Sequence, residues 1–279
     1  MLFTTGGYVA IPALIAAALT RTPSVIWEGN VEAGRSNRLI APLATARAVA
    51  WAETRARAPW DGAGTHLTGT PVRDLSGTSR AAARAELGLA DGDRLLLVFG
   101  GSQRVLRFEQ ALDGALAAIL PRWKVLHVTG TDGVGAEARR AALPAELRDR
   151  YRTTAFLERG EMERALVASD LLLGRAGAST IAEASAVGLP SIIVPYPYAG
   201  GHQRANAAAL ADAGGATLVA DRDLTAERLV AAIAPFDDVA HRARVGAAAR
   251  ALAHPEAART IAELLVETAA ARAPRGRRP

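Results

Sequence analysis

Five short segments of this chain carry the residue types that handle phosphates and sugars. Gly100-Gly101-Ser102-Gln103 follows an apolar run and precedes a helical stretch from about Val105. Two glycines let backbone approach a ligand closely, a helix N-terminus presents N–H groups and partial positive charge to a phosphate, and Ser102 adds a hydroxyl donor. A tight strand-to-helix turn without chemical consequence fits the same residues. Gly174-Arg175-Ala176-Gly177-Ala178-Ser179-Thr180, with Glu183 in the next helix, repeats that arrangement. Here Thr180 and Glu183 have capping-box spacing, so on these residues alone Glu183 returns to a backbone N–H. The functional alternative has Glu183 accepting hydrogen bonds from a ribose diol, as acidic residues do in dinucleotide folds. In Pro195-Tyr196-Pro197-Tyr198-Ala199-Gly200-Gly201-His202-Gln203, with Asn206 one turn further on, prolines and glycines shape a stiff loop. His202 and Gln203 can donate to a sugar hydroxyl or phosphate, although a surface cap is the commoner fate of a lone histidine. Trp27-Glu28-Gly29-Asn30 and Gly69-Thr70-Pro71-Val72-Arg73 each follow a strand candidate, and Asn30 and Arg73 are expected to face a cleft between two blocks.

Other chemistries are excluded by what is absent from the 279 residues. There is no cysteine, hence no disulfide frame, thiolate nucleophile or Cys-built zinc site. His66, His127, His202, His241 and His254 have no zinc-ligand spacing, so no metal is expected. No Gly-x-Ser-x-Gly elbow and no Walker A motif occurs, the single lysine being Lys124. The formal charge of +5 is almost all arginine and is scattered, which argues against a nucleic-acid surface. Only Arg272, Arg275, Arg277 and Arg278 cluster, in a Pro/Gly-broken tail over 272–279 that is expected to be disordered. No run approaches the roughly 20 apolar residues of a membrane span. Ile11 to Leu19 is about half that length. It lacks a basic leader and is interrupted at Pro12, with Gly6 and Gly7 just before it; a buried helix after a glycine turn is expected there.

These loops need elements to hold them. Strand candidates are Pro23–Trp27, Thr45–Trp51, Thr65–Gly69, Arg94–Phe99, Lys124–Thr129, Arg152–Ala155, Leu171–Leu173, Ser191–Val194 and Thr217–Ala220. Several, such as Leu95-Leu96-Leu97-Val98-Phe99, are apolar throughout, as strands buried on both faces are. Alternation with Ala-rich helical stretches implies an α/β fold with parallel sheets. All five loops then lie on the carboxyl edges of their sheets, where ligands of such folds bind. The apolar pattern stops near Arg73 to Gly77, which sets the expected boundaries: a partial Rossmann-like domain over 1–77, a complete one over 78–236, and C-terminal helices over 237–271 with a break at His254-Pro255. Leu2-Phe3-Thr4-Thr5 reads as the end of a strand.

In this order, Gly6-Gly7-Tyr8-Val9, Glu28-Gly29-Asn30, Gly69-Thr70-Pro71-Val72-Arg73, Gly100-Gly101-Ser102-Gln103, Arg175 to Thr180 with Glu183, and His202-Gln203 with Asn206 resemble the MurG family. Each motif is weak alone, but six in sequence, from about Gly6 to Ala253, are fairly specific. Members are GT-B glycosyltransferases that move N-acetylglucosamine from its UDP donor to lipid I, giving lipid II for peptidoglycan. The resemblance implies substrate contacts at Asn30, Arg73, Ser102, Leu157, Ala178, Ser179, Thr180, Glu183 and Gln203. Secondary candidates are Gly100, Gly101, Gln103, His202 and Asn206. Ser102 corresponds to a phosphate or uridine contact, Leu157 to a backbone contact for the uracil, Glu183 to a ribose contact and Gln203 to a contact with GlcNAc hydroxyls. On this basis Glu183 is a ligand residue and not a cap.

Two departures stand against the family pattern. Its usual glutamine between Glu28 and Asn30 is Gly29 here. Its N-terminal Gly-rich loop with a histidine, implicated in acceptor binding and base chemistry, has no counterpart, so the first domain is expected to be incomplete and no catalytic residue is assigned. The resemblance implies no cofactor and a peripheral place on the inner, anionic membrane face. Alternatives are a donor-binding subunit completed by a partner that supplies the N-terminal segment, a non-catalytic UDP-sugar module, and a related GT-B transferase with another lipid acceptor.

Overall fold

The computed structural model describes residues 1–75, 77–101, 105–130, 134–198 and 201–271. Ser102, Gln103 and the basic tail 272–279 lie outside the described residues. The elements run β1 (Leu2–Thr4), α1 (Ala10–Leu19), β2 (Ser24–Glu28), α2 (Arg35–Ile40), β3 (Ala46–Val49), α3 (Ala52–Arg55), β4 (Thr65–Leu67) and α4 (Arg80–Glu86). There follow β5 (Leu95–Phe99), α5 (Leu106–Ile119), β6 (Lys124–Val128), α6 (Val134–Ala141), β7 (Tyr151–Thr154), α7 (Arg159–Ala168), β8 (Leu171–Gly174) and α8 (Ala178–Val187). The chain ends with β9 (Ser191–Ile193), α9 (His202–Asp212), β10 (Ala216–Leu218), α10 (Ala226–Ile233), α11 (Val239–Arg250) and α12 (Ala257–Ala271). Two compact units divide it: Met1–Val72 with Tyr198–Asn206 and the chain from His254 onward, and Arg73–Pro197 with Ala207–Ala253. The helices expected together over 237–271 therefore part at the His254-Pro255 break, α11 joining the second unit and α12 the first.

In the first unit, β1 to β4 form a parallel sheet in chain order, with β1 and β4 outermost. Side chains alternate between its faces. Ile26 and Val49 pack with Leu14, Ile40 and Trp60 on one side, while Val25, Ala46 and Ala48 meet Leu264 of α12 on the other. Alanines on β3 leave room for a helix to lie close. The helix expected to be buried is α1, and burial is confined to one stripe: Ala10, Leu14 and Ala17 are buried, whereas Val9 just before it, Ile15 and Leu19 are exposed. The spacing of four and three residues turns that stripe inward, with Ile11 packed half-buried beside it. Ile15 and Leu19, apolar but off it, face outward.

The second unit holds six parallel strands in the order β10-β9-β8-β5-β6-β7. Counted from β5, this is the doubly wound order 3-2-1-4-5-6 read from the other end. The continuous apolar run of β5 follows from burial on both faces: Leu96 and Val98 meet α5 and α10 through Leu112, Leu116 and Leu229, and Leu95 and Leu97 meet α4, α7 and α8 through Ala83, Leu166 and Ala184. Each fully buried leucine contributes about 2 kcal/mol. Ser79 caps α4, its side chain accepting from Ala82 N–H at 3.2 Å, an interaction worth about 1 kcal/mol.

Candidate functional site

A sheet whose strand order reverses opens a crevice beyond the strands on either side of the reversal. In the second unit those strands are β5 and β8, hydrogen-bonded neighbours that the chain leaves in opposite directions. Gly100-Gly101 follows the first, and Gly101 has φ +96 with open space where a Cβ would stand, a conformation a side chain would strain. Beyond β8 the chain passes Arg175 to Gly177 and enters α8. Gly177 is its N-cap with no side-chain cap, and Ala178, Ser179 and Thr180 form a first turn that is half-exposed to exposed. Main-chain donors at a helix start that no side chain satisfies suit an anion.

Glu183 does not cap that turn. It is buried, and its Oε1 accepts from Arg73 Nε at 2.7 Å. The capping-box expectation fails because α8 starts at Ala178, which places Thr180 inside the helix and not at its N-cap. Arg73 also donates to the Arg159 carbonyl at 3.3 Å, so two of the expected site residues meet directly and are tied to the start of α7. Leu157, after β7, is half-buried over the same apolar cluster that holds Ala184 of α8.

Arg175, a motif residue with no expected role, organises this edge. It is 8% exposed, donates to the Val194 carbonyl at 3.0 Å and to Asp221 at 2.6 Å, and its guanidinium lies over the rings of Phe108 and Tyr196 at 5.1 and 5.6 Å. One buried cation thereby joins the ends of β8 and β9 to α5. A charged residue directly after an apolar strand is the signal that could have found it.

In the first unit, Glu28 closes β2 and is 2% exposed. Its carboxylate accepts from Asn30 N and Asn30 Nδ2, both at 2.9 Å, from Gly34 N at 3.2 Å and from Asn37 Nδ2 at 2.8 Å. Four donors replace the lost water. Asn30 is held on its other side by Asn206, fully buried, whose Nδ2 donates to Asn30 Oδ1 at 3.0 Å while its Oδ1 accepts from Val31 N at 2.9 Å. His202 Nδ1 lies 2.7 Å from the Glu32 carbonyl, and since a carbonyl only accepts, Nδ1 carries the proton. Gln203 is half-buried at the start of α9. So Asn30, His202 and Asn206 come together, with Glu28 as a hub that sequence reasoning left without a role.

A buried polar set lies away from these loops. His127 Nδ1 is 3.0 Å from Tyr151 Oη, Arg139 donates to that hydroxyl at 3.3 Å and to Asp113 at 2.5 Å, and Glu109 lies 3.8 Å from Arg139. Burial, then the nearby Arg139 charge, push the imidazole down to about 4, and burial pushes the Tyr151 phenol up. Both are neutral packing groups near pH 7. Among the described residues no group of three or more His, Asp or Glu side chains is arranged to hold a metal ion.

The model of the glycosyltransferase family 28 C-terminal domain matches residues 95–265. A transferase from Desulforudis audaxviator, named UDP-N-acetylglucosamine--N-acetylmuramyl-(pentapeptide) pyrophosphoryl-undecaprenol N-acetylglucosamine transferase, is 38% identical over 95% of this chain and 72% of its own length. The chain belongs to the MurG family. The same-named protein of Mycolicibacterium paratuberculosis is 40% identical over 94% of this chain and 64% of its own, so the chain spans about two thirds of the length of these relatives. The crystal structure of Acinetobacter baumannii MurG superposes with a TM-score of 0.75 at 28% identity, covering 95% of this chain and 72% of that one. A UDP-GlcNAc 2-epimerase from Neisseria meningitidis shares the fold alone, with a TM-score of 0.69 at 12% identity. The α/β fold with two parallel sheets is therefore that of GT-B proteins, as the motif order in MurG proteins implied.

Proposed function

We propose that this chain transfers N-acetylglucosamine from UDP-GlcNAc to lipid I, the lipid-linked muramyl-pentapeptide acceptor, giving lipid II. The observation that carries the reading is the crevice beyond β5 and β8, where a glycine turn and the uncapped first turn of α8 adjoin. The transfer inverts the sugar: an acceptor hydroxyl attacks the anomeric carbon, the new C–O bond forms as the bond to UDP breaks, and the hydroxyl proton passes to a base. Charge growing on the leaving diphosphate is the main thing to stabilise. Main-chain N–H groups at Ala178, Ser179 and Thr180 supply that without a metal, aided by Ser102. Glu183 takes the ribose diol through the oxygen that Arg73 leaves open, and the Leu157 backbone reads the uracil. Gln203 is the contact for the GlcNAc hydroxyls, and Asn30 a further contact for the donor or its phosphate.

A lipid-linked acceptor brings the protein to the inner membrane face as a peripheral binder. No helix of the described residues is long and apolar enough to cross a bilayer, but Val9, Ile15 and Leu19 offer exposed apolar contact on and beside α1. Calorimetry at about 1 mM UDP-GlcNAc, the upper end of ordinary KM values, tests the donor site: saturable heat is expected, and its absence refutes the reading. Turnover with lipid I then separates a complete transferase from a donor-binding module that needs a partner.

A further inference from the structure

Two tryptophans of the first unit meet on one glycine. Gly29 directly follows β2 and is buried. Side chains at 25, 27 and 29 share one face of an extended chain, and the Trp27 ring leans forward along that face. A Cβ at Gly29 would stand 2.4 Å from Trp27 Cη2 and 2.8 Å from Cζ3, so the ring takes the place of a side chain at 29. That ring is held at both ends. Its Nε1 donates to the Gly69 carbonyl at 3.1 Å, and its body packs on the cluster of Val25, Ala46, Ala48 and Leu264. Trp51, just beyond β3, donates from Nε1 to the Gly29 carbonyl at 3.1 Å.

The backbone after Gly29 is held by side chains. Asn30 N donates to Glu28 Oε1 at 2.9 Å, Thr54 Oγ1 lies 2.9 Å from the Asn30 carbonyl and 3.0 Å from that of Val31, and Val31 N donates to Asn206 Oδ1 at 2.9 Å. The Asn30 amide is itself oriented twice, Nδ2 donating to Glu28 Oε1 at 2.9 Å and Oδ1 accepting from Asn206 Nδ2 at 3.0 Å. These bonds use one of its two amide hydrogens and one of its two oxygen lone pairs, so it keeps capacity for a ligand. All of them require the Asn30 Cα to stand in one place. The link that sets it is a glycine, the residue with the widest backbone freedom.

We infer that Trp27 and Trp51 form a clamp on Gly29 that positions Asn30 for the sugar nucleotide. The Trp27 ring removes conformations that a glycine explores, and the Trp51 N–H fixes the direction of the peptide joining Gly29 to Asn30. Both tryptophans are positioning residues and act without touching the ligand. This role rests on the reading of Asn30 as a donor contact, while the clamp is measurable without any ligand.

In the whole chain labelled with nitrogen-15, the Asn30 side-chain amide resonance, assigned with Asn30→Ala, reports the clamp. Trp27→Phe keeps an aromatic body on the apolar cluster but lacks the outer ring edge over Gly29. It leaves the Gly69 carbonyl accepting from Thr68 Oγ1 at 3.1 Å, so the fold is expected to persist. Trp27→Phe and Trp51→Phe should each move the Asn30 resonance, and an unmoved resonance in either overturns the clamp. Thermal scans give a second measure free of ligand. Gly29→Ala should lower Tm by about 2–10 °C in the unaltered chain and by less than half as much in the Trp27→Phe chain; equal falls overturn the clamp. Calorimetry with UDP-GlcNAc then reads the positioning role. Trp27→Phe and Asn30→Ala should each weaken binding about three- to tenfold, the scale of one neutral hydrogen bond, and the double variant should bind as Asn30→Ala does. Fully additive losses would mean that Trp27 acts through some route other than Asn30, and they overturn the positioning role alone. No heat with the unaltered chain overturns the donor reading and the positioning role together.

Discussion

Asn206 offers the sharpest test of how the first unit holds its loops. It is fully buried, and Asn206→Ala strands two groups at once, the Val31 N–H bonded at 2.9 Å and the Asn30 Oδ1 bonded at 3.0 Å. At about 1–3 kcal/mol for each buried polar group left unsatisfied, with the carbonyl oxygen the cheaper of the two, the expected loss is about 3 kcal/mol. That is a large part of an ordinary total of about 5–15 kcal/mol. Urea unfolding read by tryptophan fluorescence suits the question, because Trp27, Trp51 and Trp60 lie in the first unit and only Trp123 in the second. With slopes of about 1–3 kcal/mol/M, the midpoint should fall by roughly 1–3 M at unchanged slope. Asn206→Asp sharpens the result. It keeps an acceptor for Val31 N but sets a carboxylate oxygen against Asn30 Oδ1, so its deficit should shrink at acid pH, where a protonated carboxyl donates again. A loss below about 0.5 kcal/mol for Asn206→Ala, within the range of neutral surface changes, would refute this view of Asn206 as a buried strut.

Three further outcomes are expected. Glu183→Ala and Arg73→Ala should each weaken UDP-GlcNAc binding about tenfold or more by calorimetry, and the double variant should lose less than the sum, because the 2.7 Å pair couples them. Gly69→Ala should destabilise by about 3 kcal/mol or more in a thermal scan, since Gly69 has φ +78 and an added Cβ would overlap the His254 side chain. His127 is held down to about 4 from 6.5 in the folded chain, so the unfolded chain binds the extra proton between those values. Stability contributed by the neutral ring is then complete above about pH 6.5 and is lost as pH falls toward 4, by up to roughly 3 kcal/mol. His127→Gln should flatten the slope of unfolding free energy against pH in that window, and an unchanged slope would show that other groups set it.

Much of the architecture is written in local pattern. A run such as Leu95 to Phe99 can only be buried on both faces, and a sequence alternating such runs with Ala-rich helices has few folds open to it besides parallel sheets. The same holds for Gly100-Gly101 and Gly177, where glycine is the residue that lets backbone approach a ligand or start a helix without a side chain in the way. Amphipathic detail was less legible. The apolar residues of α1 suggested full burial, but which of them are buried depends on how the helix lies, and only Ala10, Leu14 and Ala17 are.

Side-chain partners were the least legible, because they join residues far apart in the chain. Capping-box spacing assigned Glu183 to its own helix end; the chain instead brings Arg73 to it across 110 positions, and a charged partner at 2.7 Å outweighs a weak local cap. Glu28 looked like an incidental loop residue until burial required four donors for its carboxylate. Residue order alone determined that this is a parallel α/β protein with glycine-bearing loops at the carboxyl ends of its strands, because periodicity and glycine placement act over a few residues. Which acids, amides and indoles hold those loops was decided only by tertiary structure, because burial sets the cost of an unpaired polar group and burial is a property of the assembled chain.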